Sequence, residues 1–191
     1  MKKKKLYIEL AVYIILVLAD GVLTWINTPD LKMECNPLVT RLGLGWGALA
    51  TSNILAVVFV WLLARYSFLR YESVNLKETS FTAYGSRIMF DRPDRFWTGL
   101  IPKHWEPFAA MGGYAFLPAV IFGRALLVTD WLLYTAQSPF YTQWHRFRSL
   151  FPFDRPDVIL GVVLGVVLGY YWIYREYKKQ LPTESAEMAE R

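Results

Sequence analysis

The chain has 191 residues, of which 54% are hydrophobic and 17% aromatic, with a formal net charge of +5 and a mean hydropathy of +0.24. This length does not separate a soluble domain from a membrane protein. The distribution of the apolar residues indicates a membrane protein, because they fall in runs of about 20 residues, the length that crosses the hydrocarbon core of a bilayer. The basic residues flank these runs, so the positive charge indicates orientation in a membrane rather than binding of nucleic acid.

Four apolar runs predict transmembrane helices, at about residues 6–26, 44–64, 109–134 and 158–174. The first run is too long for a signal peptide and no small-residue cleavage site follows it, so we predict a retained helix. The third run is interrupted by Arg124 and Asp130. The fold class that follows is all-α, an integral membrane bundle of four transmembrane helices forming a single domain over residues 1–181. The polar tail, residues 182–191, is predicted to be disordered.

The distribution of Lys and Arg predicts the topology. Fifteen of the 21 lie in the N-terminal segment, in the connection between the second and third runs, or in the C-terminal tail. The two connections on the opposite side hold five, and Arg124 lies inside a run. The positive-inside rule therefore places both termini, and the loop between helices two and three, in the cytoplasm. We expect the cell (inner) membrane of a prokaryote as the location.

The connections between the runs carry weaker signals. The cytoplasmic loop, about residues 66–108, is polar, and a loose alternation over residues 80–90 predicts a short β-hairpin. The aromatic segments 97–105 and 138–151 are typical of chain that lies along the membrane interface. His104 and His145 fall on opposite sides of the membrane, and with the single Cys35 they give no metal-ligand spacing, so neither a metal nor a cofactor is predicted.

Polar residues inside the runs predict a buried cluster. Asp20 lies 14 residues after Leu6, and Arg124 lies 15 residues after Ala109 on a helix that runs in the same direction. At 1.5 Å per residue both reach about 21–23 Å, in the outer half of the core. Bare charges in hydrocarbon are costly, so we expect Asp20 and Arg124 to pair. We assign to this cluster Asp20, Thr24, Glu34, Asn36, Asn53, Arg124 and Asp130.

The segment before the second run supports a resemblance. Asp20, Thr24 and the motif Glu34-x-Asn36-Pro37 resemble a group of small bacterial and archaeal membrane proteins of unknown function, catalogued as a domain of unknown function, over about residues 11–65. That group often carries a lysine in the second span, where this chain has Ser52 and Asn53. The resemblance implies a polytopic membrane protein and no known activity.

Three glycines in the last run predict close helix packing. Gly161, Gly165 and Gly169 are spaced by four residues, which places them on one helix face where a second helix can approach. This pattern favours packing within the chain or between chains over binding of a ligand. We therefore expect other membrane helices, in a homo- or hetero-oligomer, as partners beside the lipid bilayer.

Three functions are compatible with the sequence. The first is an accessory or scaffold subunit of a larger membrane assembly. The second is a small oligomeric transporter or ion-conducting protein that uses the polar cluster, and the third is an intramembrane enzyme acting on lipid. No serine-hydrolase, zinc-protease, Walker or dinucleotide motif is present, which favours a protein that is not an enzyme.

Overall fold

The structure, a computed structural model, describes residues 2–34, 37–94, 96 and 102–189, and this part of the chain contains helices and no strand. Four long helices are apolar enough to cross a membrane, which confirms the all-α bundle of four transmembrane helices. They are α1 (Lys2–Asn27), α3 (Trp46–Leu69), α5 (Trp105–Thr135) and α7 (Pro156–Ala189). The connections between them contain three short α-helices, α2 (Pro37–Thr40), α4 (Phe81–Phe90) and α6 (Tyr141–Arg148), and a 3₁₀ helix at Pro152–Asp154.

Helix α5 is the centre of the bundle, because it packs against α1, α3 and α7. A buried cluster of Leu6, Tyr13, Val60, Ala64 and Leu117 joins α1, α3 and α5. Elsewhere the long helices expose large apolar side chains over most of their length, as helices facing lipid do.

The two ends of the bundle are distinct. One end is called the terminal end. There the Nζ atom of Lys5 in α1 lies 5.9 Å, and the Cζ atom of Arg175 in α7 lies 5.4 Å, from the ring centroid of Tyr114. At the opposite end, called the far end, Asn27 donates a hydrogen bond of 2.7 Å to the Thr135 hydroxyl. The start of α1 and the last turns of α7 therefore lie at the same end of the bundle.

The connection between α3 and α5 is more ordered than the sequence predicts, and the predicted β-hairpin over residues 80–90 is wrong. These residues form α4, which buries Tyr84, Ile88 and Met89 against Ala110 of α5 and Trp172 of α7. A helix places Tyr84 and Ile88 one above the other on a single face, so burial against two long helices outweighs a weak alternation in the sequence. The predicted interfacial segment 97–105 lies largely outside the described residues.

The last helix extends beyond the apolar run. Helix α7 continues to Ala189, so residues 182–189 are helical where the sequence predicts disorder, and residues 190–191 lie outside the described part. Alanine, glutamate and methionine are strong helix formers, and extending an existing helix avoids the cost of a new nucleus. Just before residue 182, three side chains of α7 bind the segment between α3 and α4: Tyr177 donates to the Thr79 carbonyl, Lys179 to the Ser73 hydroxyl and Gln180 to the Glu78 carbonyl.

Helices α3 and α5 approach each other closely at Gly113 of α5. A Cβ added there would lie 2.1 Å from the backbone oxygen of Leu63 in α3, whereas a Cβ at the neighbouring Gly112 would meet nothing within 4 Å. The crossing of α3 and α5 therefore depends on the absence of a side chain at one position.

The glycines of α7 pack within the chain. An added Cβ would lie 3.5 Å from the Ala119 carbonyl at Gly161, 3.6 Å from the Ala119 Cβ at Gly165, and 3.5 Å from the Met111 sulfur at Gly169. These are ordinary contact distances, so the glycine face lies against α5 with room for about one methyl group. The glycine face of α7, from which the sequence predicted helix partners, is thus in contact with α5 of the same chain.

Candidate functional site

The buried charges at the far end of the bundle meet as the spacing predicts. Arg124 of α5 forms an ion pair with Asp20 of α1, and its other terminal nitrogen donates a hydrogen bond of 2.5 Å to the Asn53 side chain of α3. Only 21% of the Arg124 side chain and 13% of the Asp20 side chain are exposed. One guanidinium therefore links three helices, and its planar set of donors suits two acceptors in different directions.

Asp130 has a partner that the sequence did not indicate. Its carboxylate accepts an ion-paired hydrogen bond from Arg148 and a hydrogen bond of 2.8 Å from the Trp144 indole N–H. Both donors lie on α6, which folds back against the end of α5. Burial raises the pKa of the nearby Tyr141 hydroxyl, and the Asp130 charge raises it further.

A third ion pair lies at the start of α7. Arg155 donates to both carboxylate oxygens of Asp157, at 2.9 Å and 2.7 Å. Asp157 is buried in the first turn of the helix, where the positive end of the helix dipole also favours a carboxylate.

The remaining members of the predicted cluster divide into two groups. Thr24 is buried and Glu34 is half-buried, and both line the cavity described next together with Asp20. Asn36 lies outside the described residues. Among the described residues no group of three or more His, Cys, Asp and Glu side chains is placed to hold a metal ion.

These polar groups line one end of a large cavity. Its volume is about 1110 Å³, and all four long helices contribute to its wall. Sites for small molecules usually enclose about 300–1,000 Å³, so this cavity is slightly larger than that range.

The wall of the cavity changes character along its length. Toward the terminal end the lining is apolar and includes Met89, Phe96, Phe108, Met111 and Phe116. Toward the far end it includes the three ion pairs and four aromatic side chains, Trp131, Tyr134, Tyr141 and Trp144, beside apolar residues such as Leu126 and Leu127. The glycines Gly161, Gly165 and Gly169 also line it. The cavity wall is thus apolar toward the terminal end and carries the charged and aromatic side chains toward the far end.

A smaller polar group lies at the terminal end. Tyr71, Glu176 and Gln180 each have a buried side-chain oxygen without a hydrogen-bond partner in the described part of the chain. Burial raises the pKa of both Tyr71 and the neighbouring Tyr84, and the Glu176 charge contributes to each shift. Such oxygens are normally satisfied by internal water.

The comparisons with known proteins add no relative. No protein-family model, no curated protein and no solved structure matches this chain. The resemblance over residues 11–65 to small prokaryotic membrane proteins stays a prediction.

Proposed function

We propose that this membrane protein binds one amphiphilic molecule of the bilayer, a lipid or a lipid-like compound, in the cavity between its long helices. The observation that carries the proposal is the graded wall of the cavity, apolar over one part and charged at the far end. An amphiphile would place its chain against Phe108, Met111 and Phe116 and its polar head near Asp20, Arg124 and Asp130.

The alternatives fit this wall less well. A small water-soluble ligand would leave the apolar part of the cavity without a contact. A purely apolar ligand would bring no polar group to ion pairs that are already partly removed from water, and such charges are costly without polar partners. A molecule with both kinds of surface satisfies both parts of the wall.

The cavity can be filled without disturbing the packing. Gly112 lines it and an added Cβ there meets nothing within 4 Å. We expect Gly112→Leu to occupy the apolar part of the cavity and to abolish most of the lipid that purifies with the protein. Gly47→Leu is the matched control, because Gly47 is also a helical glycine in open space but does not line the cavity.

Native mass spectrometry of the protein purified in a mild detergent measures this directly. The wild-type protein and Gly47→Leu should carry about one lipid per chain, and Gly112→Leu should carry at least fivefold less. If Gly112→Leu folds normally and retains as much lipid as the wild type, the proposal is wrong.

A transport function is the second candidate. The cavity wall includes residues near both ends of the bundle, from Glu34 and Arg148 at the far end to Gly85 and Phe96 near the terminal end. A pathway of this length favours movement of the bound amphiphile between the two sides of the membrane. Fluorescent-lipid transfer between leaflets of reconstituted vesicles, compared with Gly112→Leu vesicles, would distinguish transport from binding alone.

The role of accessory subunit also stays a proposal, and it requires a binding surface other than the glycine face of α7. The glycine face of α7 packs on α5, so an assembly partner would have to use the exposed apolar faces of the long helices. Action on lipid as an enzyme would use the same carboxylates, and no arrangement of the described residues favours it over binding.

We propose that both termini lie in the cytoplasm and that the membrane is the inner membrane of a prokaryotic cell. Fifteen of the 21 basic residues belong to the segments on the side of the termini. A reporter fused after residue 191 should be active only in the cytoplasm, and a tag at Gln137 should be accessible from outside. External accessibility of the C-terminal reporter would contradict this orientation.

A further inference from the structure

The charges around the cavity are unequal. Among the described residues, five carboxylates line it, from Asp20, Glu34, Asp130, Asp154 and Asp157, against three guanidinium groups, from Arg124, Arg148 and Arg155, with no lysine or histidine. Each of the three arginines is paired with a carboxylate. The described part of the lining therefore has a formal charge of about −2 at neutral pH.

The same end of the cavity is rich in aromatic faces. Trp131 and Tyr134 of α5 lie with their ring centroids 6.2 Å apart, and Tyr134 lies 5.5 Å from Tyr141 of α6. Trp144 of α6 completes this wall and holds Asp130 through its indole N–H. Aromatic rings attract cations to their faces, and tryptophan and tyrosine side by side are the usual surroundings of quaternary ammonium groups.

We propose that the head of the bound amphiphile carries an ammonium group, which lies between the aromatic wall and the lining carboxylates at the far end. This inference rests on the proposed function, since it names the headgroup of the same ligand. An anionic head, such as a phosphate with no compensating ammonium, would meet a site of its own sign whose arginines are already paired. Like charges in a partly dehydrated site repel strongly.

The headgroup preference can be measured with lipids of identical acyl chains. The probes are dioleoyl phosphatidylethanolamine, dioleoyl phosphatidylcholine and dioleoyl phosphatidylglycerol, each added to the delipidated protein in maltoside detergent, with occupancy measured by native mass spectrometry. Dodecyltrimethylammonium, competing against each lipid, supplies an ammonium group without a phosphate. We expect the ammonium-bearing lipids to bind at least fivefold more tightly than phosphatidylglycerol.

The outcomes separate the two proposals. If no lipid binds and dodecyltrimethylammonium does not bind, the proposed function fails. If lipids bind but phosphatidylglycerol binds as tightly as the others, the amphiphile site stands and the ammonium assignment is overturned. If dodecyltrimethylammonium alone binds, the assignment holds for a single-chain amine rather than a phospholipid.

A charge variant provides the second readout. Asp154→Asn removes one lining carboxylate from an exposed position with positive φ (55°), a conformation that asparagine tolerates well. We expect the preference for ammonium lipids over phosphatidylglycerol to fall about two- to fivefold, as for other partly screened charges. Asp91→Asn, an exposed carboxylate that does not line the cavity, is the control and should leave the preference unchanged. Equal preferences in the wild type and Asp154→Asn would contradict the role of the lining charge.

Discussion

Replacement of Gly113 by alanine should destabilise the protein by about 1–3 kcal/mol or more, the usual cost of overpacking a tight contact. The added Cβ would lie 2.1 Å from the Leu63 carbonyl oxygen, which belongs to the backbone of α3 and cannot rotate away. The two helices would have to separate along their crossing. Because α5 also contacts α1 and α7, that movement would disturb the whole bundle.

The neighbouring glycine supplies the control for this prediction. Gly112→Ala makes the same chemical change one residue earlier in the same helix, where the added Cβ meets nothing within 4 Å. It should be neutral or slightly stabilising, because alanine is the better helix former. Thermal unfolding of both variants in detergent should give a midpoint about 5 °C or more lower for Gly113→Ala than for Gly112→Ala. Equal midpoints would show that α3 and α5 do not approach this closely.

Breaking the Asp20–Arg124 pair should have the second large effect. Arg124→Gln leaves the Asp20 carboxylate in a largely buried position without its counter-ion, and Asp20→Asn leaves the Arg124 guanidinium without its anionic partner. Removal of one partner of a buried pair typically costs about 3–5 kcal/mol, whereas removal of both costs much less. We therefore expect each single variant to express poorly and the double variant to recover most of the loss.

An exposed pair elsewhere in the chain controls for the loss of charge itself. Lys103 and Asp91 also form an ion pair, but 63% and 51% of their side chains are exposed. Lys103→Gln and Asp91→Asn should each leave the unfolding midpoint close to that of the wild type. If the Asp20 and Arg124 variants behave like these two, or if the double variant is as unstable as the sum of the singles, the buried pair does not stabilise the bundle.

The helices and the central ion pair were predictable because they depend on local pattern and counting. Apolar runs of membrane length identify a transmembrane helix without any knowledge of its neighbours. Likewise the 14- and 15-residue offsets of Asp20 and Arg124 gave similar depths on helices of the same direction. The high free energy of an unpaired charge in hydrocarbon then favours pairing of two opposite charges at the same depth.

The partners that were missed depend on how the chain folds back at the far end. Arg148 reaches Asp130 only because α6 returns to the end of α5, and no spacing in the sequence fixes that return. The presence of arginines in an aromatic segment next to a span was the available signal. Gly113 was missed for a related reason: its importance lies in one crossing point with Leu63, not in a repeating pattern such as that of the α7 glycines.

The amphiphile in the cavity is the central claim, and photo-cross-linking tests it most directly. A phosphatidylethanolamine with a diazirine on its acyl chain would be incorporated into membranes containing the protein, and cross-linked residues would be identified by mass spectrometry. Met111 and Ala115 line the cavity, and Ala115 is 6% exposed, whereas Ile15 and Leu18 are more than 60% exposed on α1 and do not line it. We predict cross-links at Met111 and Ala115 that disappear in Gly112→Leu, whereas those at Ile15 and Leu18 persist. Cross-links confined to Ile15, Leu18 and other exposed residues, unchanged in Gly112→Leu, would contradict it.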